Sequence, residues 1–156
     1  MRLLVLAAVS AACATLIGCS GSKTSAPDSA DSSAFLDKAA KEPGATRTAT
    51  GLVYRELTPG TGASPTADDV VKVHYRGTLT DGTEFDSSYK RNEPATFPLR
   101  RVIPCWTEGV QRMKVGGKSR LTCPSVIAYG EQGSPPVIPG GATLVFEIEL
   151  LDIPKM

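Results

Sequence analysis

Alternating apolar and polar positions predict several β-strands in the second half of the chain. The alternation is clearest in 71–76 and in 144–150, and a period of two places one set of side chains on a buried face. The segments 52–57 and 118–123 are further predicted strands, each next to a glycine-containing turn. The Thr-Asp-Gly-Thr sequence at 80–83 is typical of a β-hairpin turn.

A helix is predicted within this strand-rich region, over 104–113. Trp106, Val110 and Met113 fall on one stripe at helical spacing, and a proline suits the first turn. A second helical pattern covers 33–42. Four or more antiparallel strands with one short amphipathic helix predict an α+β domain.

Composition and charge narrow the range of partners. The chain has 156 residues, 41% of them hydrophobic and 21% charged, with a formal net charge of +1. This length suits one domain of ordinary size. The balanced charge offers no electrostatic basis for binding nucleic acid. The chain has one histidine, His74, so we expect no metal and no cofactor.

The pattern of 1–18 is that of an export signal. Arg2 precedes an uncharged apolar stretch that is shorter than the roughly 20 residues of a membrane-spanning helix. The Leu-Ile-Gly-Cys sequence at 16–19 resembles the lipobox of bacterial lipoproteins, in which the cysteine is lipidated. We therefore expect Cys19 to anchor the protein, and Ser20 favours the outer membrane, facing the periplasm. An ordinary secretory signal with a chance cysteine is the alternative.

Three further segments follow the signal. Residues 19–32 are the lipidated N-terminus and a flexible tether, because their Ser, Gly, Pro and Asp content cannot bury enough surface to fold. Residues 33–50 are a short helix and a linker. Residues 51–156 form the domain.

Two cysteines remain once the N-terminal ones are assigned. Cys13 leaves with the signal and Cys19 is lipidated, so Cys105 and Cys123 enter an oxidising compartment. We expect a disulfide that joins the start of the helix to a strand. Two buried thiols are the alternative.

Several motifs follow one another in a fixed order. They are VHYRGTL at 73–79, DGTEFDSS at 81–88, VIPCWTEG at 102–109, MKVGG at 113–117, AYG at 128–130 and IPGGATLVF at 138–146. Together they resemble the FKBP-type peptidyl-prolyl cis-trans isomerases, over about 51–154. The segment 35–42 resembles the end of the N-terminal helical region of the macrophage-infectivity-potentiator branch. Most of that region, including its dimerising part, is missing, so we expect a monomer.

The resemblance implies a twisted antiparallel β-sheet wrapped around one short α-helix, with a substrate pocket between them. It implies that a carboxylate, a hydroxyl and two aromatic rings carry catalysis, namely Asp86, Tyr129, Phe85 and Trp106. The implied substrate-binding residues are Tyr75, Arg91, Phe97, Val102, Ile103, Ile138 and Phe146, and Arg91 falls where the family has a basic partner for the aspartate. Ala95 stands where many eukaryotic members have a second aromatic residue, which opens one wall.

The activity implied by the resemblance is isomerisation of X-Pro bonds in exported, proline-containing polypeptides. The amide bond crosses a barrier of ~18–20 kcal/mol as it twists, and an apolar pocket favours the twisted, less dipolar state. Macrolides of the rapamycin class are further implied ligands. The alternative is an FKBP-fold chaperone or protein-binding module with little isomerase activity. Taken singly, the aromatic positions also suit an ordinary hydrophobic core.

Overall fold

The protein folds around a seven-stranded antiparallel sheet, as seen in a computed structural model that describes residues 29–155. In chain order the elements are α1 (Ser29–Ala40), β1 (Ala45–Arg47), β2 (Val53–Thr58), β3 (Val70–Leu79), β4 (Glu84–Ser87), β5 (Ala95–Pro98), α2 (Pro104–Val110), β6 (Lys118–Cys123) and β7 (Leu144–Asp152). The strand order is β1-β2-β6-β7-β3-β4, and β5 also pairs with β3. This arrangement confirms the predicted α+β fold.

The two longest alternating segments form the centre of the sheet. β3 and β7 pair antiparallel, so that Tyr75 lies opposite Ile148 and Gly77 opposite Phe146. The apolar side chains of both strands are buried, as the alternation predicts. On its other edge β3 pairs first with β5 and then with β4. β3 therefore pairs with three strands, which brings residues of β4, β5 and β7 close together.

The helix α2 packs its apolar stripe against the sheet. It ends at Val110, three residues earlier than predicted, because the chain turns there and the Met113 amide bonds the Val110 carbonyl. Cys105, Trp106 and Val110 are buried. A Cβ atom at Gly109 would lie 2.6 Å from a methyl carbon of Leu121. The close contact between α2 and β6 therefore needs a glycine at this position.

The helix α1 begins four residues earlier than the pattern predicts, inside the segment assigned to the tether. Asp31 lies in its first turn, where a negative charge stabilises a helix N-terminus. Leu36 is buried, and Glu42 pairs with Arg55 of β2. Within 29–155, neither helix has the length and apolar character needed to cross a bilayer.

A disulfide joins Cys105, at the start of α2, to Cys123, at the end of β6. Their Cα atoms are 5.9 Å apart, and both residues are completely buried. The bond links the helix to the strand on which it packs. Cys13, Cys19 and the predicted export signal lie outside the described residues.

Candidate functional site

A cavity of about 380 Å³ lies between α2 and the sheet. Its walls come from β3, β4, β5 and β7, and from the segment that leads into α2. The lining residues are Tyr75, Phe85, Asp86, Phe97, Arg101, Val102, Ile103, Trp106, Tyr129 and Phe146. The structure thus brings together nine of the eleven residues that the resemblance assigns to catalysis or substrate binding.

Trp106 is the centre of the aromatic part of this cavity. Its ring centroid lies 5.2 Å from that of Tyr75, 5.5 Å from that of Phe97 and 5.4 Å from that of Phe146. All three pairs meet edge to face, which is a favoured geometry for aromatic rings. The indole N–H is buried and has no acceptor in the part of the chain that the structure describes.

Gly77 allows the aromatic walls to close around the cavity. A Cβ atom at this position would lie 2.5 Å from Cζ of Phe85 and 3.0 Å from Cε1 of Phe146. The two phenyl rings meet edge to face over this glycine, with centroids 5.6 Å apart. Any larger residue at this position would clash with both rings.

A hydrogen-bonded cluster forms the polar side of the cavity. The carboxylate of Asp86 accepts hydrogen bonds from the Tyr75 hydroxyl, from the Arg91 guanidinium at 2.6 Å and from the Ser87 amide at 2.8 Å. The guanidinium also donates to the Tyr75 hydroxyl at 3.0 Å. Arg91 thus reaches the site through this cluster and does not itself line the cavity.

The cluster holds Asp86 in its charged form. Partial burial acts to raise the pKa of this carboxyl, but the hydrogen bonds from Tyr75 and Arg91 together outweigh it, so the pKa lies below its usual value of 3.8. Burial, reinforced by the hydrogen bond to Asp86, raises the pKa of Tyr75 above 10.0. Asp86 is therefore an ionised acceptor and Tyr75 a neutral donor at neutral pH.

Two further groups are available to a ligand. The Ile103 carbonyl accepts hydrogen bonds from the first turn of α2, whereas its amide meets no acceptor among residues 29–155. The Tyr129 side chain is 41% exposed, and its hydroxyl has no hydrogen bond within the same range. An extended peptide in the cavity would find a donor on each side.

Two of the expected residues do not line the cavity, and one residue that was not expected does. Ile138 is buried in the hydrophobic core. Arg91 instead bonds the Asp86 carboxylate, which is the contact that the resemblance implies. Arg101 lines the cavity although no sequence motif singles it out. In the sequence, Arg101 directly precedes Val102, a predicted substrate-binding residue, and this position could have indicated its place in the cavity.

The histidine and the serine that lie within hydrogen-bonding distance of each other are both outside the cavity. His74 Nδ1 lies 2.9 Å from the Ser88 hydroxyl, but Ser88 is completely buried and bonds the Tyr75 backbone. Neither residue lines the cavity. Within the described residues, no group of three His, Cys, Asp or Glu side chains is placed to hold a metal ion. The cavity is thus lined mainly by aromatic and aliphatic side chains, with polar groups at Asp86, Arg101 and Tyr129.

An antiparallel sheet packed on one short helix, with an aromatic cavity between them, defines a domain of the FKBP class. The family model described as FKBP-type peptidyl-prolyl cis-trans isomerase matches residues 62–151, and the chain belongs to this family.

Individual relatives agree with this assignment. FKBP-type peptidyl-prolyl cis-trans isomerase FkpA of Aeromonas hydrophila is 58% identical over 78% of this chain and 45% of its own length. Peptidyl-prolyl cis-trans isomerase Mip of Coxiella burnetii is 48% identical over 80% of this chain and 54% of its own length. A peptidyl-prolyl cis-trans isomerase structure from Pseudomonas syringae is 41% identical with a TM-score of 0.77, covering 85% of this chain and 99% of that one. The chain spans about half the length of the curated relatives that it matches.

Proposed function

We propose that this protein is a peptidyl-prolyl cis-trans isomerase that accelerates rotation about X-Pro bonds. The observation that carries the proposal is the aromatic cavity around Trp106, with donors at Ile103 and Tyr129 that have no acceptor within residues 29–155. An apolar slot of this kind accepts a pyrrolidine ring, and the donors hold the peptide on either side.

The proposed chemistry is noncovalent. A planar amide is more dipolar than a twisted one, so a cavity poor in water disfavours the planar ground state. The Ile103 amide holds a substrate carbonyl, and the Tyr129 hydroxyl holds the backbone beyond the proline. One end of the amide then rotates against a fixed other end. Each ~1.4 kcal/mol of selective stabilisation gives a tenfold faster rate.

Each lining group has a role in this proposal. Trp106 forms the floor, and Phe85 lies beside the ionised Asp86 near the twisting bond. We propose that preferred substrates have an apolar residue directly before the proline, because apolar side chains line the part of the cavity that receives this residue. The proposed substrate-binding residues in the cavity walls are Tyr75, Phe97, Val102, Ile103 and Phe146. Arg91 holds Asp86 on the polar side of the cavity, and Ile138 supports the site from the hydrophobic core.

Exchange spectroscopy on the full chain tests the activity. Proton NMR of short X-Pro peptides measures the rate of cis-trans exchange without a coupled protease. We expect catalytic amounts of the protein to accelerate exchange, most strongly for apolar X. Heat-denatured protein is the control, and equal rates for the native and denatured samples with every peptide would refute the activity.

A second candidate function is binding of unfolded chains. Val126 is 76% exposed and Val137 is 49% exposed, and both lie on the loop that carries Tyr129. Exposed apolar side chains on one loop are a means of holding unfolded polypeptide. Replacing both valines with serine should reduce suppression of client aggregation while X-Pro exchange in short peptides persists. Equal suppression by the parent and the variant would argue against this role.

We further propose that the protein acts in the cell envelope, on exported proline-containing proteins, as a lipid-anchored monomer. The support is the lipobox-like sequence that ends at Cys19. We expect Cys19→Ala protein to leave the membrane fraction, and an unchanged distribution would favour a simple secretory signal. Macrolides of the rapamycin class are proposed ligands, and Ala95, which replaces an aromatic wall residue of many eukaryotic members, counts against tight binding of them.

A further inference from the structure

A positive charge without a counter-charge lies at the rim of the cavity. Arg101 lines the cavity and is exposed, and its guanidinium makes no ion pair or hydrogen bond within residues 29–155. It lies in the same short 3₁₀ turn as Arg100, which borders a different surface beside α2. The two neighbours therefore form a natural pair for comparison.

The other charges around the cavity are already matched. Asp86 is paired with Arg91 at 2.6 Å and bonded to the Tyr75 hydroxyl. A substrate charge near this cluster would meet an ion pair, whereas one near Arg101 would meet an isolated cation. Most other arginines of the described segment pair with a carboxylate, namely Arg47, Arg55, Arg76, Arg91, Arg112 and Arg120.

The lack of contacts also argues against a structural role for Arg101. An exposed guanidinium without hydrogen bonds or ion pairs adds little to folding stability, so its position at the rim matters only when a ligand is present. A guanidinium is shaped to receive a carboxylate through two parallel hydrogen bonds.

We propose that Arg101 selects substrates that carry Asp or Glu close to the X-Pro bond. This inference rests on the proposed isomerase function. Arg101 lies two residues before Ile103, whose amide holds a substrate carbonyl in that proposal. Two residues of an extended substrate peptide span ~7 Å. A substrate carboxylate within about two residues of the proline therefore comes within reach of the Arg101 guanidinium. The residue directly before the proline stays apolar, and the acidic residue lies beyond it or after the proline.

Two peptide series test the selectivity. One places Glu, Ala or Lys two residues before the proline, and the other places them directly after it. NMR exchange gives kcat/KM, and the fluorescence of Trp106, the one tryptophan of the chain, gives Kd for the same peptides. In at least one series we expect Glu to exceed Lys by about two- to fivefold, the range of exposed ion pairs. The preference should shrink in 1 M salt, where the Debye length is only about 3 Å.

Charge reversal identifies the residue responsible. Arg101→Glu should invert the Glu-to-Lys ratio, whereas Arg100→Glu changes net charge equally and should keep the parent's preference. An unchanged ratio in Arg101→Glu, or the same inversion in both variants, would overturn the inference. If no peptide is isomerised, the proposed function fails, and the Kd ratios still decide whether Arg101 selects acidic ligands.

Discussion

The hydroxyl of Tyr75 donates a hydrogen bond to the carboxylate of Asp86, across the pairing of β3 with β4. Both residues line the same cavity, so this bond fixes the charged group relative to the aromatic wall. Arg91 bonds both partners and completes the cluster. In the proposed mechanism the cluster positions a negative charge and transfers no proton.

Removal of the Asp86 carboxylate should slow catalysis without abolishing it. For Asp86→Leu we expect a loss of about 1–3 kcal/mol in transition-state stabilisation, on the scale of single hydrogen bonds. Asp86→Asn should retain measurable activity, and kcat/KM from NMR exchange checks both variants. Complete loss of activity in folded Asp86→Asn protein would mean that the carboxylate does acid–base or covalent work.

The Tyr129 hydroxyl should contribute through a hydrogen bond to the substrate. We expect Tyr129→Phe to lose about 1–3 kcal/mol of transition-state stabilisation, as calculated from the fall in kcat/KM. Tyr89→Phe is a matched control, because Tyr89 is 37% exposed against 41% for Tyr129 and its hydroxyl bonds Glu149 outside the cavity. Equal effects of the two variants on kcat/KM would show that Tyr129 has no special role.

Activity should be independent of pH across the neutral range. The pKa of Asp86 lies below 3.8 and that of Tyr75 above 10.0, so neither group titrates between about pH 5 and pH 9. We expect a flat profile of kcat/KM in this window. His74→Gln protein lacks the only histidine, so a bell-shaped profile in that variant would contradict the noncovalent mechanism.

At acid pH the same cluster should lose its contribution to stability. The folded state lowers the pKa of Asp86, so its contribution is present above the usual carboxyl pKa and is lost as pH falls through the folded value. Circular dichroism gives the pH midpoint of acid unfolding for the parent and for Asp86→Asn, and the comparison of the two proteins measures the contribution of the ionised carboxylate to stability. The difference in stability between the two proteins should be largest at neutral pH and vanish at low pH.

The disulfide should matter for stability more than for rate. Cys105 and Cys123 are 18 residues apart in sequence, and closing a loop of that size contributes about 3 kcal/mol by the chain-entropy estimate. We expect reduction to lower the urea midpoint clearly. Neither sulfur lines the cavity, so kcat/KM per folded molecule should change little. A large fall in kcat/KM at unchanged stability would indicate that the bond positions Trp106.

Gly77→Ala should damage both stability and the shape of the cavity. The added Cβ would lie 2.5 Å from Cζ of Phe85, and overpacking of this kind costs about 1–3 kcal/mol. Thermal unfolding measures the loss. The double variant Gly77→Ala/Phe85→Leu removes the crowded ring atoms and should recover part of the stability. No recovery in the double variant would mean that the Phe85 ring is not the main obstacle.

The sequence by itself determined the elements whose signals are local. Alternation predicts the buried faces of β3 and β7, because each strand repeats its pattern over several residues. Helical spacing places Trp106 and Val110 on the buried side of α2. Short elements escape this reasoning: β1 and β5 have three and four residues, too few for a period to show. The ordered motifs supplied the family.

Tertiary structure decided the geometry of the site, whose residues only the family resemblance had grouped together. The Tyr75–Asp86–Arg91 cluster depends on the register between β3 and β4 and on the turn that follows them. Ile138 lies in the core instead of the cavity, and Arg101 lies at the rim, and both residues belong to connections between strands. Register and loop path arise from packing between distant segments, so no local pattern encodes them.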